Sequence, residues 1–255
     1  MLLVIDAGNS NFKFGVFRGA DLVANCRLIM DHTRTAREYG AELRKLFELS
    51  EIDPKEIEGV AIASVVPPLN ETLLTMVQEC FGLTPLFVDH TSDTGLKILY
   101  DSPSQLGADR IVDAVAAVAK YGAPCIVVDF GTATTFNAVN AAREFLGGVI
   151  APGVMISAEA LFSRTAQLPR VEIKQPEKVI ARSTFEAIQS GLYYGYVGLV
   201  DRVLEKMIAE MNDKARVVAT GGMARPIAGA SRFIESVDAT LTLDGLRLVH
   251  ERHKQ

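Results

Sequence analysis

The chain has 255 residues, of which 49% are apolar and 22% charged, so it is long enough to bury the cores of one large or two modest globular domains. Its net charge of −5 argues against a broad nucleic-acid-binding face, because such a face needs clustered Lys and Arg. No apolar run approaches the length of a membrane helix, and Met1–Asp6 lacks the basic start of a signal peptide. The three cysteines are far apart, which favours reduced thiols over disulfides. We therefore expect a cytoplasmic protein with no nucleic-acid or membrane partner.

The first predicted element is a buried strand that ends at Asp6 and turns through Gly8–Asn11 into a second strand. A glycine followed by short polar side chains lets backbone N–H groups approach an anion closely. Asp6 itself cannot face a phosphate, so we interpret it as a ligand of Mg²⁺ or of its water shell. Lys13, on the second strand, can supply a positive charge to the phosphates. A simple hairpin turn is the alternative for this segment.

Further along the chain, periodic apolar residues predict helices over Thr35–Leu49 and Asn70–Cys80, and a continuous apolar run from Gly59 predicts a buried strand. Another helix is predicted over Leu106–Ala119, with Gly122 just beyond its end as a stop signal. Tyr100, upstream of that helix, could line a substrate pocket or cap the core.

Gly107-Ala108-Asp109-Arg110 falls at the start of the third predicted helix, where anions are favoured. In phosphoryl transfer an acid such as Asp109 can accept the proton of the attacking hydroxyl, and Arg110 can hold an anionic part of the substrate. The alternative is that Asp109 is only a helix-start acid paired with Arg110.

The first strand and turn are repeated half a chain later, because Leu3–Phe12 aligns with Ile126–Thr135 and places Asp129 where Asp6 stands. Two copies of an Asp-x-Gly turn favour phosphate binding over a chance hairpin. Neither copy is a G-x-G-x-x-G turn before a helix, and the sequence contains no P-loop.

The last third predicts a long helix over Ser183–Met211, with a break near Gly195–Gly198, and a buried strand that ends at Thr220-Gly221-Gly222 before a short helix. This glycine pair is either an adenosine-binding point or a tight turn. The duplicated pattern predicts two similar α/β lobes, residues 1–115 and 116–255, with mixed sheets flanked by helices and a cleft between them.

The ordered set of motifs resembles the type III pantothenate kinase family over nearly the whole chain. The segments that carry the resemblance are Asp6–Lys13, Tyr100, Gly107–Arg110, Asp129–Thr135, Gly147–Gly153 and Thr220–Gly222. The resemblance implies an actin-like (ribonuclease H-like) fold of the acetate and sugar kinase superfamily, a homodimer, and the ATP- and Mg²⁺-dependent phosphorylation of pantothenate to 4′-phosphopantothenate, which begins coenzyme A biosynthesis.

The resemblance also implies roles for individual residues. Asp109 is the expected general base, and Asp129 is expected to hold a monovalent cation, K⁺ or NH₄⁺. The residues expected to contact ATP are Asp6, Ala7, Gly8, Asn9, Ser10, Asn11, Phe12, Lys13 and Thr132. The residues expected around pantothenate are Tyr100, Gly107, Ala108, Asp109, Arg110 and Thr184.

Two features depart from this pattern or allow another interpretation. Ser10 stands where threonine is usual, and Ser183-Thr184-Phe185-Glu186 is also a helix-capping pattern. Two other functions are open: a kinase for another small alcohol, and a non-catalytic regulatory accessory factor of the same family. The presence of the catalytic set, from Asp6 to Thr132, favours the enzyme.

Overall fold

The structure, a computed structural model, describes residues 1–31, 33–164 and 169–254, and these form two compact units. The first unit comprises Met1–Leu96, Asp101–Ala116 and the chain from Leu241 onward. The second unit comprises Lys97–Tyr100 and Ala117–Thr240. The C-terminal segment from Leu241 thus forms part of the first compact unit. The predicted boundary between two lobes at residues 115 and 116 stays a prediction.

The first unit is built on a five-stranded mixed sheet. Its strands are β1 (Leu2–Ala7), β2 (Asn11–Arg18), β3 (Asp21–Ile29), β4 (Gly59–Ser64) and β5 (Leu86–Phe87). They lie in the order β3-β2-β1-β4-β5, in which β1, β2 and β3 are joined antiparallel and β4 runs parallel to β1. The hairpin that the sequence predicts after Asp6 is therefore present.

The second unit contains a six-stranded sheet. Its strands are β6 (Lys97–Ile98), β7 (Cys125–Phe130), β8 (Ala133–Val139), β9 (Glu144–Pro152), β10 (Arg216–Gly221) and β11 (Ser236–Val237). Their order is β11-β10-β7-β8-β9-β6, with β7, β8 and β9 antiparallel and β10 parallel to β7.

Apart from the added edge strand β6, the two sheets have the same order and the same strand directions. Three antiparallel strands are followed by a strand that returns, after a helical connection, parallel to the first. This confirms the prediction of two similar lobes with mixed sheets flanked by helices, and it gives the repeated Asp-x-Gly turns equivalent positions in the two sheets.

Seven α-helices lie within the described ranges: α1 (Ala36–Leu49), α2 (Asn70–Phe81), α3 (Ala108–Tyr121), α4 (Val154–Ser163), α5 (Thr184–Met211), α6 (Ala224–Ala228) and α7 (Leu241–His253). α1 begins at Thr35, whose hydroxyl accepts the N–H of Glu38 while the Glu38 carboxylate accepts that of Thr35. Tyr39, Leu43 and Phe47 then face the core, as the 3.6-residue period predicts.

The predicted break in α5 is wrong, since the helix runs without interruption from Thr184 to Met211. A Cβ added at Gly195 or Gly198 would meet nothing within 4 Å. Buried Tyr193, Val200 and Leu204 anchor the same helix in the second core. This packing outweighs the low helix propensity of glycine, about 1 kcal/mol per residue relative to alanine.

α3 starts at Ala108, one residue before Asp109, and ends where Gly122 adopts φ +87° and donates its N–H to the Val118 carbonyl. The predicted start and stop of this helix are confirmed within two residues. α7 packs on β1 and β4 of the first unit, and its Gly245 leaves no room for a Cβ beside the Val112 backbone of α3.

The three cysteines, Cys26, Cys80 and Cys125, are free thiols, as predicted. Burial raises the pKa of each, and that of Cys125 to about 12. These thiols therefore stay protonated at neutral pH and belong to the packed interior. Among the residues that the structure describes, no helix is both long and apolar enough to cross a membrane.

Candidate active site

The first turn joins β1 to β2 and carries the predicted phosphate-binding residues. The last paired residues are Ala7 and Phe12, and within the turn the Gly8 N–H donates to the Asn11 carbonyl at 3.0 Å. Asn9 and Ser10 are exposed, whereas the side chains of Ala7 and Phe12 are fully buried. Any contact of Ala7 or Phe12 with a phosphate would therefore come from their backbone.

Asp6 and Lys13 lie directly opposite each other in the β1–β2 ladder. The Lys13 Nζ is 2.9 Å from Asp6 Oδ2, and Asp6 is only 6% exposed. An ion pair this sheltered from water is screened less than a surface pair. The two predicted charges of the phosphate site are thus held together at the end of the hairpin.

Asp109, the predicted base, belongs to the same compact unit as Asp6 and Lys13. Its Oδ1 accepts the Arg110 N–H at 2.7 Å, so the expected helix-start acid is present. Such a contact by itself lowers a carboxyl pKa. Burial, and then the negative charge of Asp6, outweigh it and raise the pKa of Asp109, although Arg110 and Lys13 act in the opposite direction.

Position 107 has to be glycine because the Asp109 carboxylate lies where a side chain would stand. A Cβ on Gly107 would lie 2.5 Å from Asp109 Oδ1 and 3.4 Å from a methyl group of Val65. Any side chain here would therefore displace the Asp109 carboxylate. Ala108 and Arg110 are each 6% exposed, so Arg110 is a charged side chain held largely inside the protein.

The second turn joins β7 to β8 and differs from the first in length. Gly131–Ala133 lie between the paired residues Phe130 and Thr134, which makes this turn one residue shorter than Gly8–Asn11. The partner of Asp129 across the ladder is consequently Thr135, where the partner of Asp6 is Lys13. Of the two turns, only the first has a lysine opposite its aspartate.

Asp129 lies against Gly221, the last residue of β10. A Cβ on Gly221 would run into Asp129 Oδ1 and would lie 2.6 Å from the Phe130 carbonyl oxygen, and Gly221 has φ +92°. A carboxylate oxygen of Asp129 and the Phe130 carbonyl oxygen therefore lie directly against the Gly221 backbone. Oxygen donors of this kind suit a hard cation, so these residues fit the expected monovalent cation.

Gly153, which follows β9, closes the second turn from another direction. Its N–H donates to the Thr132 carbonyl at 3.2 Å, and a Cβ on Gly153 would collide with that same oxygen and lie 2.7 Å from the Gly131 carbonyl. Thr132, the predicted ATP contact, is therefore held through its backbone by a glycine that no larger residue can replace.

Tyr100 and Thr184 belong to the second unit, whereas Gly107–Arg110 belong to the first. The Tyr100 ring lies 6.4 Å from that of Phe145, and Gly147 faces it. Thr184 is exposed at the start of α5, where the Ser183 hydroxyl accepts the Glu186 N–H. The cap of α5 is therefore Ser183, which leaves the Thr184 hydroxyl available for another role.

Sequence reasoning missed two residues that contact the second turn, Thr134 and Tyr196. Their side chains are hydrogen bonded to each other, and both are buried. Thr134 is one of three threonines in a short run and Tyr196 lies in an apolar helix, so neither carries a local signal. Across the described residues, no group of three or more His, Cys, Asp or Glu is placed to hold a metal ion.

Comparison with protein families gives a match to the model described as type III pantothenate kinase, over residues 2–206. A protein named type III pantothenate kinase from Koribacter versatilis is 51% identical over 264 residues, covering 100% of this chain and 96% of its own. One of the same name from Geobacter sulfurreducens is 50% identical over 255 residues, with both chains fully covered.

Solved structures show the same fold at low sequence identity. The activator of the 2-hydroxyisocaproyl-CoA dehydratase from Clostridium difficile, with bound ADPNP, is 12% identical with a TM-score of 0.58, covering 99% of this chain and 97% of its own. The ROK hexokinase from Thermus thermophilus is also 12% identical, with a TM-score of 0.53 and coverage of 100% and 99%. These neighbours place the chain in the actin-like and sugar-kinase fold class.

Proposed function

The chain belongs to the type III pantothenate kinase family, and we propose that Asp109 is the general base with which it phosphorylates pantothenate. The reaction transfers the γ-phosphoryl group of ATP to the hydroxyl of pantothenate and begins coenzyme A biosynthesis. The position of Asp109 supports this assignment, because its Oδ1 lies where only a glycine at position 107 leaves room, and burial together with the neighbouring Asp6 raises its pKa.

A raised pKa suits the role of a general base. Carboxylates of ordinary pKa are weak bases at neutral pH, and proton transfer is most effective when the pKa lies closer to the working pH. Asp109 would accept the hydroxyl proton as the oxygen attacks phosphorus. The vacant position at Gly107 lets the carboxylate keep its orientation during this step.

The first turn would hold the phosphates of ATP. The exposed Asn9 and Ser10, together with the backbone N–H groups of Gly8–Asn11, supply hydrogen-bond donors, and Lys13 supplies positive charge. Mg²⁺ would neutralise part of the phosphate charge when bound, and Asp6 is the residue proposed to hold it or its water shell. The Asp6–Lys13 ion pair holds both side chains at the end of the hairpin.

A monovalent cation, K⁺ or NH₄⁺, is proposed to bind at Asp129. The Asp129 carboxylate and the Phe130 carbonyl oxygen around Gly221 are the supporting observation. Such a cation would supply positive charge next to the turn that contains Thr132, the proposed ATP contact. Substituting Asp129 by asparagine should remove potassium activation.

Arg110 is proposed to hold the carboxylate of pantothenate. It is a permanently charged guanidinium in a mostly buried position, where a paired anion is favoured strongly. Tyr100, Gly107, Ala108 and Thr184 are proposed to line the same substrate. The exposed Thr184 hydroxyl, which does not cap α5, is free of a structural role there.

A homodimer is proposed as the working assembly. α4 is a strongly apolar helix that leaves Met155, Ile156, Leu161 and Phe162 between 37% and 54% exposed. Several large apolar side chains left exposed on one helix favour an interface with another chain. Light scattering of the wild type and of Met155→Lys tests this: the variant should shift toward the monomer.

The function is tested by a coupled assay of ADP formation with pantothenate, with and without potassium. Asp109→Asn should lower kcat by about 10²- to 10⁴-fold, because the proton acceptor is lost. Calorimetry with a non-hydrolysable ATP analogue and with pantothenate should show that the variant still binds both.

Asp101→Asn is the matched control, since it removes an exposed carboxylate from the loop that precedes α3 and should keep wild-type turnover. Near-normal turnover of Asp109→Asn would show that the base is wrongly assigned. A wild-type protein that binds ATP without phosphorylating pantothenate would instead revive the regulatory alternative, which the names of the half-identical, full-length relatives do not favour.

A further inference from the structure

Tyr196, on α5, lies directly beneath the second turn. It is 6% exposed, and its hydroxyl donates a hydrogen bond to the Pro152 carbonyl at 2.8 Å. The same hydroxyl is hydrogen bonded to that of Thr134. The Tyr196 ring also packs against Phe130, with centroids 6.4 Å apart.

The direction of these bonds follows from the number of protons. A tyrosine hydroxyl has one hydrogen, and the Pro152 carbonyl can only accept, so the Tyr196 hydrogen goes to Pro152. Thr134 must then donate its own hydrogen to the Tyr196 oxygen. Burial raises the pKa of Tyr196, which keeps the hydroxyl protonated at neutral pH.

The three contacts of Tyr196 surround the Gly131–Ala133 turn. Phe130 ends β7, Thr134 is the second residue of β8, and Pro152 ends β9. Gly153, next after Pro152, holds the Thr132 carbonyl. The Tyr196 side chain therefore contacts the ends of β7, β8 and β9. Its contact on β7 is Phe130, the residue next to Asp129.

The first unit repeats this arrangement. Tyr39, on α1, is fully buried and donates its hydroxyl to the Asp31 carbonyl at 2.7 Å, just after β3. Its ring lies edge-on to Phe12, the first residue paired beyond the turn, at 4.7 Å. Next to Asp31, the Met30 N–H donates to the Ser10 carbonyl at 3.0 Å. In both units a tyrosine from a helix beneath the sheet thus ties the end of the third strand to a phosphate turn.

We propose that the Tyr196 hydroxyl is a positioning group for ATP and for the monovalent cation, acting through the turn that carries Thr132 and through Asp129. This inference rests on the proposed function and deepens it. Losing the hydroxyl leaves the buried Thr134 hydroxyl without its acceptor, so the turn is free to change shape.

The test is nucleotide binding by the full-length chain, measured by calorimetry with Mg²⁺ and a non-hydrolysable ATP analogue. Tyr196→Phe removes the hydrogen bonds to both Pro152 and Thr134, so it should weaken binding by about tenfold or more and raise the potassium concentration needed for half-maximal activity. Affinity for pantothenate should change less than twofold.

Three further variants separate positioning from general stability. Tyr193→Phe removes the hydroxyl of a buried tyrosine from the same helix and should behave as wild type toward ATP. Thr134→Val, which removes only the bond to Tyr196, should weaken ATP binding in the same direction as Tyr196→Phe but by less. Thr134→Ser, which keeps the donor, should bind ATP as the wild type does. The double variant Tyr196→Phe/Thr134→Val should bind ATP no more weakly than Tyr196→Phe alone, because that single variant already lacks the bond between the two hydroxyls.

Unchanged ATP and potassium dependence in Tyr196→Phe, or an equal loss of affinity for ATP and pantothenate, would overturn the inference. If Tyr196→Phe does not fold, Thr134→Val decides by the same criteria. Thr132→Ala and Asp129→Asn report on the proposed function itself. If Thr132→Ala or Asp129→Asn weakens ATP binding or potassium activation and Tyr196→Phe does not, only the role of Tyr196 is overturned. If none of the three variants has an effect, the proposed binding of ATP and of the cation at the second turn is overturned as well.

Discussion

A methyl group on Gly107 would lie 2.5 Å from Asp109 Oδ1, so the absence of a side chain at Gly107 determines where the proposed base can stand. Gly107 does not have a positive φ, and its conformation is open to any residue. What glycine provides here is space for a carboxylate.

Gly107→Ala should lower kcat about 10²-fold while the affinity for ATP stays near the wild-type value. The added methyl group would push the Asp109 carboxylate aside, and displacement of a reacting group by about 1 Å can cost this much. Steady-state kinetics with both substrates measure the effect. Gly198→Ala is the control, since that helical glycine faces open space and the change should leave activity intact. Full activity of Gly107→Ala would mean that Asp109 can work from another position.

The acid limb of the pH–activity profile should report the raised pKa of Asp109. Activity needs the ionised carboxylate, so it should fall as the pH drops through that pKa, at a higher pH than an ordinary aspartate would give. Asp6→Asn removes a negative neighbour and should move the limb to lower pH. Lys13→Gln removes a positive neighbour and should move it to higher pH.

These two shifts are measured as kcat/KM against pH, normalised for each variant, because both substitutions also lower activity. Opposite displacement of the limb is the essential outcome. Displacement in the same direction for both variants would contradict the electrostatic origin assigned to the pKa of Asp109.

The ionised Asp238 carboxylate should stabilise the second unit at pH values above its pKa. It accepts the Tyr121 hydroxyl at 2.9 Å and pairs with Lys120 at 2.5 Å. Burial works to raise the pKa of Asp238, but the hydrogen bonds from Lys120 and Tyr121 outweigh it and lower that pKa below 3.8. Asp238→Asn should therefore cost about 1–3 kcal/mol in the free energy of unfolding at pH 7.

Because the folded pKa of Asp238 is depressed, its contribution is present above the ordinary value and is lost as the pH falls through the folded one. Urea unfolding of wild type and Asp238→Asn should therefore converge below pH 3.8. Asp213→Asn removes an exposed carboxylate from the same unit and should change stability little. A difference between wild type and Asp238→Asn that does not vary with pH would exclude the ionised pairing.

His250 should make the protein less stable in mild acid. It is 8% exposed, and a Cβ on Gly59 would lie 2.6 Å from its Nε2. Burial, followed by the positive charges of Lys254 and His253, lowers the pKa of His250 below 6.5, although Glu251 opposes the shift. The unfolded chain therefore takes up a proton that the folded chain resists.

His250 therefore changes stability with pH in the direction opposite to a histidine that is paired with an acid. The protein is most stable above the ordinary histidine pKa of 6.5 and loses stability as the pH drops below it. Thermal unfolding between pH 7 and pH 5 should show a smaller decline for His250→Gln than for wild type. His90→Gln changes a histidine of the same unit that is not among the charges acting on His250, and it should keep the wild-type slope. Parallel slopes for wild type and His250→Gln would locate the pH dependence elsewhere.

Much of the fold was predictable because its signals are local. The apolar run before Asp6, its repeat before Asp129 and the periodic apolar residues of α1 specify strands and helices without knowledge of their neighbours. The break predicted in α5 is wrong for the complementary reason. Glycine lowers helix propensity locally, but buried Tyr193, Val200 and Leu204 hold the helix together through contacts distant in sequence.

The site shows the same division. The acids, the lysine and the glycines could be selected from the sequence, since turns that approach phosphates need residues of these types. The pairing of residues across each hairpin could not be predicted from the sequence. A gapless alignment of the two repeats does not reveal that the second turn is one residue shorter, so Thr135 takes the place opposite Asp129 that Lys13 has opposite Asp6. Tyr196 was also invisible, because a buried tyrosine in an apolar helix is ordinary core.

The sequence by itself determined the duplicated hairpins, the start of α3 and the types of charged residue beside the turns, because strand and helix periods and turn residues act over a few positions. Only the tertiary structure decided how those groups behave. The pKa of Asp109 depends on burial and on Asp6, which lies far from it in sequence, and the Asp129 and Phe130 oxygens lie against Gly221 because β10 runs beside β7. Charge and solvation act through space, so folding has to bring the partners together before either property exists.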